Sequence, residues 1–369
     1  MGQEIASALA RWCQLEDFGV RPEITAICDS APPPGRIDWF RRHFPTIQLV
    51  TTDYRELAAH PAVDAVYCAV PHHLHAELYS GIIRAGKHLL GEKPFGIDEV
   101  ANTAILDAIR EQPGLIVRSS SEFPFFPGVQ RVFKMVEAGA FGRIMEANTG
   151  FLHSSDLDPN KPINWKRLVK FNGEYGVMGD LGLHACHFPF RAGWKPLNVR
   201  AVLSKVIAQR PDGKGGMSAC ETWDNATLLC PTEDRHGTRF PWTIRTQRIA
   251  PGEKNTWYIE IYGTKASVRF STKNPKRLEL LNYNGGEQSW QQIDLGYHGA
   301  YKTLTGEIFE FGFSDSILQM MAAFFYEIAH GQPLHPAAGC VTPEETALSH
   351  RLFTAALRSQ GSGTVEPIR

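Results

Sequence analysis

The sequence predicts an α/β protein with two domains: a Rossmann-like, doubly wound parallel sheet, followed by an α+β domain with a mostly antiparallel, open sheet. In the first third, short β-branched runs alternate with longer stretches that carry apolar residues at helical spacing, which is typical of a parallel sheet flanked by helices. From about Glu122 onward, one helical stretch precedes many strand-like runs, which indicates an antiparallel sheet packed against helices. Because 369 residues are enough for two ordinary domains, we divide the chain into residues 1–122 and 123–369.

The elements of the first domain follow one another with short connections. Since crossovers between parallel strands are right-handed, this order favours a doubly wound sheet, in which ligands bind beyond the carboxyl ends of the strands. Asp29 and residues 71–75 and 92–94 follow three of these strands, so we expect a cofactor at this edge. The predicted strands are 23–28, 47–51, 63–70, 87–90 and 115–118, and the predicted helices are 3–12, 53–59, 75–85 and 98–110.

Asp29, at the end of the strand at 23–28, indicates which cofactor the domain binds. A carboxylate there can accept hydrogen bonds from the ribose hydroxyls of NAD and repels the 2′-phosphate of NADP. The alternative interpretation is an ordinary turn aspartate ahead of the prolines at 32–34. We expect NAD rather than NADP.

The beginning of the chain holds only part of a dinucleotide-binding motif. Such a sheet normally opens with a strand that runs into G-x-G-x-x-G, whose glycines let a pyrophosphate approach the amides of a helix N-terminus. Here the helix at 3–12 starts almost at once, and Gly2 corresponds to the last glycine of the motif. We expect either that the true start lies about one strand and its turn upstream, which we favour, or that this version has lost tight cofactor binding.

Composition and charge argue against nucleic-acid and membrane partners. The chain has 38 basic and 39 acidic side chains and a formal net charge of -1, so no excess charge attracts a polyanion. Its apolar runs are far shorter than the roughly 20 residues that cross a bilayer, and no signal-peptide pattern opens the chain. The seven cysteines include no CxxC pair and are expected to be free thiols. We therefore predict a cytoplasmic protein with a small-molecule ligand.

Two segments carry the most specific sequence patterns. Residues 63–96 read VDAVYCAVPHHLHAELYSGIIRAGKHLLGEKPFG, and residues 179–188 read GDLGLHACHF. They resemble the P-N-x-x-H, A-G-K-H and E-K-P elements and the D-x-G-x-H element of the Gfo/Idh/MocA family, the glucose-fructose oxidoreductase and inositol dehydrogenase group. The resemblance covers nearly the whole chain apart from its beginning, although His72 stands where the family commonly has Asn, and His187 where a second Asp often follows. It implies a cis peptide bond between Lys93 and Pro94.

The resemblance implies an alcohol-oxidising site built from Lys93, Asp180 and His184. Oxidation of a secondary alcohol needs a base for the hydroxyl proton and a donor that polarises the same oxygen. By resemblance, His184 accepts the proton, Lys93 hydrogen-bonds the reacting oxygen, and Asp180 orients His184 or binds a neighbouring hydroxyl. Asp180 and His184 are four residues apart, so on a helix they share one face. Without the resemblance, the ordinary interpretation of Lys93 is a solvated surface charge. The ordinary interpretation of Asp180 and His184 is a surface pair or a helix cap.

The expected cofactor and substrate sites include residues beside these three. We expect His72 and His75 to line the nicotinamide end of the cleft, with helix capping as the alternative, and His73 to be exposed. Metal binding by Asp180, His184 and His187 is set aside, because no distant ligand is identifiable. The expected cofactor-binding residues are Gly2, Asp29, Pro71, His72, His75, Glu92 and Lys93, and the expected substrate-binding residues are Lys93, Trp165, Lys166, Asp180, His184 and His187.

The second domain is predicted to start with a helix from 129 that ends near Gly139. Thr342, Pro343 and Glu345 form a capping-box pattern for a final helix that runs to about Arg358. One face of an open sheet often pairs with a second copy, and members of the resembled family usually form dimers or tetramers, so we expect a homodimer or homotetramer. The predicted strands are 144–151, 199–208, 225–230, 243–249, 257–262 and 266–270.

The leading functional prediction is an NAD-dependent dehydrogenase acting on CH–OH groups. It would transfer a hydride between a sugar, polyol or related hydroxylated small molecule and nicotinamide. Two alternatives stay open. One is a redox-neutral, NAD-dependent glycoside hydrolase of the same superfamily, which uses the same site. The other is a non-catalytic sugar-binding or regulatory protein, suggested by the incomplete glycine motif around Gly2.

Overall fold

A computed structural model describes residues 1–16 and 18–369 and shows an α/β domain followed by a larger α+β domain. All five predicted strands of the first domain are confirmed, four at shorter lengths and β4 at the same length, and α2 is a helix that the sequence analysis missed. The helices of this domain are α1 (Gly2–Ala10), α2 (Arg36–His43), α3 (Tyr54–Ala59), α4 (His75–Arg84) and α5 (Glu99–Glu111). Its strands are β1 (Ala26–Cys28), β2 (Leu49–Thr51), β3 (Ala65–Cys68), β4 (His88–Gly91) and β5 (Val117–Ser119).

Two helices of the first domain begin at aspartates that cap them. The carboxylate of Asp53 accepts a hydrogen bond from the amide of Arg55 at the start of α3, and that of Asp98 accepts one from Ala101 at the start of α5. Such caps satisfy amides that the first helical turn leaves without partners. The caps therefore fix where the chain turns from the sheet edge into each helix.

The parallel strands of the first domain form two hydrogen-bonded groups. Strands β3, β4 and β5 pair in that order, and β1 pairs with β2. A cavity of about 740 Å³ is lined by residues of β1, β3 and the first turns of α1. Residues that follow β4 contact the second domain, so the carboxyl edge of these strands faces the cleft between the two domains.

The second domain is built on one ten-stranded sheet. The strands are β6 (Ile144–Leu152), β7 (Lys195–Pro196), β8 (Asn198–Ser204), β9 (Gln209–Pro211), β10 (Met217–Ala219), β11 (Asn225–Glu233), β12 (Arg239–Gln247), β13 (Thr256–Gly263), β14 (Ala266–Ser271), β15 (Arg277–Asn282), β16 (Gln291–Asp294) and β17 (Glu366–Pro367). The order in the sheet is β16-β15-β14-β13-β6-β12-β11-β8-β17, with β7 beside β11, while β9 and β10 form a separate hairpin. Only the β6–β12 pairing in this sheet is parallel, among the residues described, which confirms the mostly antiparallel sheet.

The ten-stranded sheet has one covered face and one open face. Along β11, buried and exposed residues alternate; Leu228 is buried, whereas its neighbour Leu229 is 46% exposed. Strictly alternating burial is what a sheet with helices on one side produces. The helices of the second part of the chain are α6 (Pro127–Glu137), α7 (Val169–Asn172), α8 (Val177–Arg191), α9 (Phe313–His330) and α10 (Pro343–Ser362).

Helix α8 lies between the sheet and α10 and is buried on every side. All residues from Val177 to Phe190 are buried, and the helix contacts β6, β12 and α10. A helix covered all round is expected to be apolar all round. Asp180, His184 and His187 are therefore polar groups inside the core, and each needs a specific partner there.

Helix α9 packs on the first domain. Ile317 and Met321 of α9 share an apolar cluster with Ile5 and Ala8 of α1. The division after residue 122 stays a prediction, and it does not include this return of residues 313–330 to the first domain. The reason is that apolar spacing predicts a helix and its buried face, while it carries no information on which domain that face meets.

The final helix, α10, begins at the predicted capping box. The amide of Glu345 donates to Oγ1 of Thr342 at 3.3 Å, and the amide of Thr342 donates to the Glu345 carboxylate at 2.8 Å. Pro343 occupies the first turn, where its missing N–H is not needed. None of the helices within residues 1–16 and 18–369 has both the length and the apolar character required to span a bilayer.

Candidate active site

Lys93 and Asp180 meet across the cleft between the domains. Lys93 follows β4, and its peptide bond to Pro94 is cis, as the sequence resemblance implies. Its Nζ donates to Asp180 Oδ1 at 3.0 Å and to the Asp180 backbone oxygen at 2.8 Å. Asp180 lies in the first turn of α8. The first domain thus supplies the cation, and the second domain supplies the carboxylate that holds it.

Two more cations hold the Asp180 carboxylate. The Nζ of Lys166 lies 2.9 Å from Oδ2, and Nε and Nη2 of Arg248 lie 3.2 and 3.1 Å from the same oxygen. Burial alone would raise the pKa of this carboxyl, but the charges of Lys166, Lys93 and Arg248 hold the pKa of Asp180 well below its usual value. Asp180 is therefore an anion whose orientation is fixed from three sides.

The pKa values of the two lysines shift in opposite directions. Burial lowers the pKa of Lys93, but the negative charges of Asp180 and Glu92 outweigh this and raise its pKa above the ordinary lysine value. Burial also lowers the pKa of Lys166, and there the repulsion from Lys93 and Arg248 leaves it lowered. Asp180 supplies both hydrogen-bond acceptors of Lys93 within the described residues, so one of three ammonium N–H groups remains for a ligand oxygen.

The segment that carries Trp165 and Lys166 is anchored by a buried ion network. It forms a short 3-10 helix whose first amide is capped by Asn164. The next residue, Arg167, is fully buried and pairs with two aspartates of the second domain, Asp156 and Asp224. Because Arg167 is fixed on the core side, the neighbouring Lys166 side chain is directed toward the cleft.

Trp165 lies beside His72 at the mouth of this site. Its ring is half-buried, and the two ring centroids are 4.9 Å apart in an edge-to-face arrangement. A partly exposed aromatic ring beside polar side chains can pack against the apolar face of a sugar. The structure thus brings Lys166 to the Asp180 carboxylate and Trp165 to His72.

His184 lies one helical turn beyond Asp180 and is 4% exposed. Its Nδ1 is 3.1 Å from the hydroxyl of Ser121, and the rings of Phe123 and Phe151 contact it edge-on. Burial, together with the nearby charge of Lys93, holds the pKa of His184 well below its ordinary value. The imidazole is therefore neutral at physiological pH and able to accept a proton.

The carboxyl edge of the first sheet offers a donor set that fits a dinucleotide. Gly2, Asp29 and Pro71 all line the 740 Å³ cavity, whose volume is within the usual range for small-molecule sites. Gly2 begins α1, whose first turn has no side-chain cap, so amides there are available to a pyrophosphate. Asp29 Oδ2 lies 3.4 Å from Nη1 of Arg36, and both side chains are partly exposed. An adenosine ribose can reach this carboxylate.

The three histidines after β3 have different surroundings. His75 is completely buried, and its ring nitrogens are 2.6 Å from the oxygen of Pro94 and 2.9 Å from that of Val70, so it braces the backbone around Pro94. His72 is buried with Nδ1 at 3.2 Å from the oxygen of Asn172. The expectation that His73 is exposed is wrong, because its ring packs against Phe171 with 4.9 Å between centroids.

His187 lies further along α8 than His184, at the end away from Asp180. It is 1% exposed, and the charged groups that act on it are Glu345 and Arg191 rather than Lys93 or Asp180. Three residues beyond His184, it lies near Glu345 of α10, and its role in substrate binding stays a prediction. Within the part of the chain that the structure describes, no group of three or more His, Cys, Asp or Glu side chains is arranged to hold a metal ion.

Sequence reasoning missed Arg248, Ser121 and Glu122. Arg248 is 2% exposed and reaches Asp180 from the end of β12, where nothing in the sequence distinguishes it from other arginines. Ser121 and Glu122 follow shortly after β5, so the rule that ligands lie beyond strand ends could have indicated them.

Glu92, an expected cofactor-binding residue, is buried, and its Oε1 accepts a hydrogen bond from the Tyr67 hydroxyl at 2.6 Å.

Comparison with family models gives two consecutive matches. Residues 1–119 match a model described as "Oxidoreductase family, NAD-binding Rossmann fold", and residues 129–269 match the GFO/IDH/MocA C-terminal domain. Together these segments include every residue of the Lys93, Lys166, Asp180, His184 and Arg248 cluster.

Curated relatives include named sugar dehydrogenases. Levoglucosan dehydrogenase of Pseudarthrobacter phenanthrenivorans is 28% identical over 239 residues, which are 62% of this chain and 61% of that protein. D-xylose 1-dehydrogenase (NADP(+)) of Hypocrea jecorina is 20% identical over 278 residues, or 73% of this chain and 69% of that protein. An uncharacterized oxidoreductase of Synechocystis is 30% identical over 223 residues, or 60% and 58%. The chain spans about three fifths of the length of the first of these relatives.

Solved structures share the fold of the whole chain. Levoglucosan dehydrogenase in complex with NADH and L-sorbose superposes with a TM-score of 0.88 at 23% identity, covering 100% of this chain and 96% of that one. Its complex with NADH and levoglucosan gives 0.87 at the same identity and coverage. At this identity the comparison shows the fold: a Rossmann-like parallel sheet joined to a mostly antiparallel one.

Proposed function

Since this chain belongs to the Gfo/Idh/MocA family of oxidoreductases, we propose that it is a dehydrogenase that transfers a hydride between a CH–OH group of a sugar or polyol and NAD. Its first domain is the NAD-binding Rossmann domain of that family. The observation that carries the proposal is the contact of Lys93 with Asp180, at 3.0 Å. It puts a charged donor of the cofactor domain against the helix that bears His184.

NAD is the proposed cofactor, and residues at the carboxyl edge of the first sheet would hold it. Gly2 and the first amides of α1 would hold the pyrophosphate, and Asp29 would accept hydrogen bonds from the adenosine ribose. Pro71, His72, Glu92 and Lys93 would hold the nicotinamide half, and His75 contacts the Pro94 backbone oxygen. When bound, NAD supplies the acceptor for the hydride that leaves the substrate carbon.

Lys93 and His184 have different roles at the substrate hydroxyl. The free N–H of Lys93 hydrogen-bonds the reacting oxygen and stabilises the negative charge that develops there. Neutral His184 takes the hydroxyl proton. Asp180 keeps the ammonium in position and stays ionised, because Lys166 and Arg248 share its charge.

A polyhydroxylated small molecule is the proposed substrate class. Lys166 reaches into the cleft beside Asp180, and donors and acceptors of this kind match vicinal hydroxyls. The half-buried ring of Trp165 provides an apolar surface for one face of a sugar ring. Two curated relatives carry the names of dehydrogenases for levoglucosan and D-xylose, which supports the same class for this chain.

We also propose that the protein is a cytoplasmic homodimer or homotetramer that pairs through the open face of its sheet. Val202 and Leu229 are 62% and 46% exposed on neighbouring strands of that face. Exposed apolar side chains that share one flat surface are typical of subunit contacts. Light scattering coupled to size exclusion tests this, and a monomer at micromolar concentration would contradict it.

The test of function is a substrate survey. The protein is incubated with NAD and with levoglucosan, aldoses, polyols and glycosides, and NADH formation is followed by absorbance. We expect substrate-dependent NADH formation with at least one free sugar or polyol. Glycoside cleavage without net NADH would favour the redox-neutral hydrolase, and no reaction in either assay would contradict the proposed enzyme.

A further inference from the structure

A buried carboxyl that the proposed reaction does not use lies behind His184. Glu122 follows β5 and precedes the 3-10 helix Phe123–Phe125. It is 7% exposed, and its Oε2 is 3.9 Å from Nδ1 of His184. The hydroxyl of Ser121 is 3.1 Å from the same nitrogen. Two consecutive residues at the end of β5 therefore face the Nδ1 side of the imidazole.

Four titratable groups surround Glu122, from three other elements. Glu92 and Lys93 approach from the end of β4, Tyr67 from β3, and His184 from α8. Burial raises the pKa of Glu122 to about 7, a hydrogen bond from its own backbone and the charge of Lys93 act in the opposite direction, and Glu92 acts in the same direction as burial. Glu122 thus changes charge in the neutral range.

The charge of Asp180 favours the protonated form of His184, but it does not outweigh burial and the charge of Lys93. His184 is buried, and the permanent charge of Lys93 lies nearby, so an imidazolium there is strongly disfavoured. The negative charge of Asp180 is already shared by Lys93, Lys166 and Arg248. Within the described residues, Glu122 is the carboxyl that lies next to the ring nitrogen.

We propose that Glu122 is a positioning residue whose carboxylate is the counter-charge of His184, stabilising the imidazolium that forms when the substrate hydroxyl gives up its proton. This inference rests on the proposed function. In the step concerned, the substrate carbon loses a hydride, with two electrons, to NAD, and the hydroxyl proton moves to His184. The products are a carbonyl compound, NADH and an imidazolium paired with Glu122.

The pairing has a consequence for the pH dependence of the rate. While the Glu122 carboxyl is protonated, the imidazolium lacks its partner, and oxidation of the alcohol is slow. As the pH rises through the pKa of Glu122, at about 7, the carboxylate forms and the rate rises. Lys93 is already charged on both sides of this range, because its pKa is raised.

The test compares kcat against pH for the wild-type protein, Glu122→Gln, Glu122→Asp and Glu344→Gln. Glu344 is exposed in the first turn of α10 and serves as the matched control. We expect Glu122→Gln to lower kcat at pH above neutrality by about tenfold or more and to remove the rise near pH 7, with KM for the substrate little changed. Glu122→Asp should keep the rise, and Glu344→Gln should match the wild-type protein.

A second readout uses no turnover. The folded-state pKa of Glu122 is raised above its ordinary value, so its ionisation destabilises the fold as the pH rises from about 4.5 to about 7, and the loss is complete above that range. Glu122→Gln lacks this ionisation, so its melting temperature relative to the wild-type protein should be higher at pH 8 than at pH 5. Glu344→Gln should show no such difference.

The outcomes separate this inference from the proposed function. If the wild-type protein oxidises an alcohol and Glu122→Gln keeps the rate and the rise near pH 7, the counter-charge role is wrong while the dehydrogenase stands. If the wild-type protein oxidises no alcohol, the proposed function fails and the counter-charge role fails with it. An equal melting-temperature difference at both pH values would show that Glu122 does not titrate in the neutral range, which overturns the rise of the rate near pH 7 that the role predicts.

Discussion

The ammonium nitrogen of Lys93 lies 3.0 Å from the Asp180 carboxylate, although 87 positions separate the two residues in the chain. Lys93 follows β4 at the carboxyl edge of the first sheet, and Asp180 belongs to a helix buried in the second domain. This contact sets the distance between the nicotinamide side of the cleft and His184, since Asp180 and His184 share one face of α8. This pair, Asp29 and two buried histidines of the second domain each lead to a testable expectation.

Replacing Asp180 by Asn should destabilise the protein and remove most of its activity. The substitution keeps the shape but leaves Lys93, Lys166 and Arg248 without their common anion, and loss of one partner of a buried ion pair costs about 3–5 kcal/mol. The free energy of unfolding, measured by urea titration at pH 7.5, checks this. Asp294→Asn on the exposed strand β16 is the matched control. An Asp180→Asn variant as stable as the control would mean that the three cations do not depend on this carboxylate.

Replacing Asp29 by Ser should shift cofactor preference toward NADP. The carboxylate now lies 3.4 Å from Arg36, and its removal both ends the repulsion of a 2′-phosphate and frees the guanidinium to bind one. We expect the ratio of kcat/KM for NAD to that for NADP to fall by about tenfold or more, equal to about 1.4 kcal/mol. The measurement is steady-state kinetics with both cofactors. Asp38→Asn in the same helix as Arg36 should leave the ratio unchanged, and an unchanged ratio in Asp29→Ser would remove Asp29 from the ribose site.

The protein should lose stability as the pH falls below about 6.5. Burial lowers the pKa of His187 to about 3 and that of His350 to about 3. Between these values and the ordinary histidine pKa, the unfolded chain binds protons that the folded protein does not, so each histidine contributes a loss of about 1.4 kcal/mol per pH unit. Urea unfolding from pH 7.5 to pH 5 measures the slope. His187→Gln should reduce it, exposed His236→Gln should not, and equal slopes in all three proteins would contradict the assignment.

The sheets and most of the site were predictable from sequence because their signals are local. Alternating strand-like runs and helical spacing predict the strands and most helices of the first domain. The capping-box pattern at Thr342 predicts the start of α10 correctly. Lys93 and Asp180 each belong to a motif of consecutive residues, so the family resemblance identifies both. The structure then places them in contact, which no local pattern can show.

The parts that sequence reasoning missed depend on contacts between distant segments. Arg248 is an ordinary arginine in sequence and becomes part of the site only because β12 ends beside α8. His187 carries the same spacing signal as His184, yet it lies further along α8, where the charges that act on it are those of Glu345 and Arg191. The partner of α9 is likewise decided by the shape of the assembled domains rather than by the apolar spacing of its residues.

The most direct test of the central claim is the kinetics of Lys93→Ala, with exposed Lys134→Ala as the control. If the Lys93 ammonium polarises the reacting oxygen, its loss should lower kcat by about 100-fold to 1,000-fold, while the Kd for NAD, measured by fluorescence quenching, changes by less than about threefold. Lys134→Ala should behave like the wild-type protein in both assays. Wild-type turnover in Lys93→Ala would contradict the claim that this lysine and His184 act on one substrate oxygen.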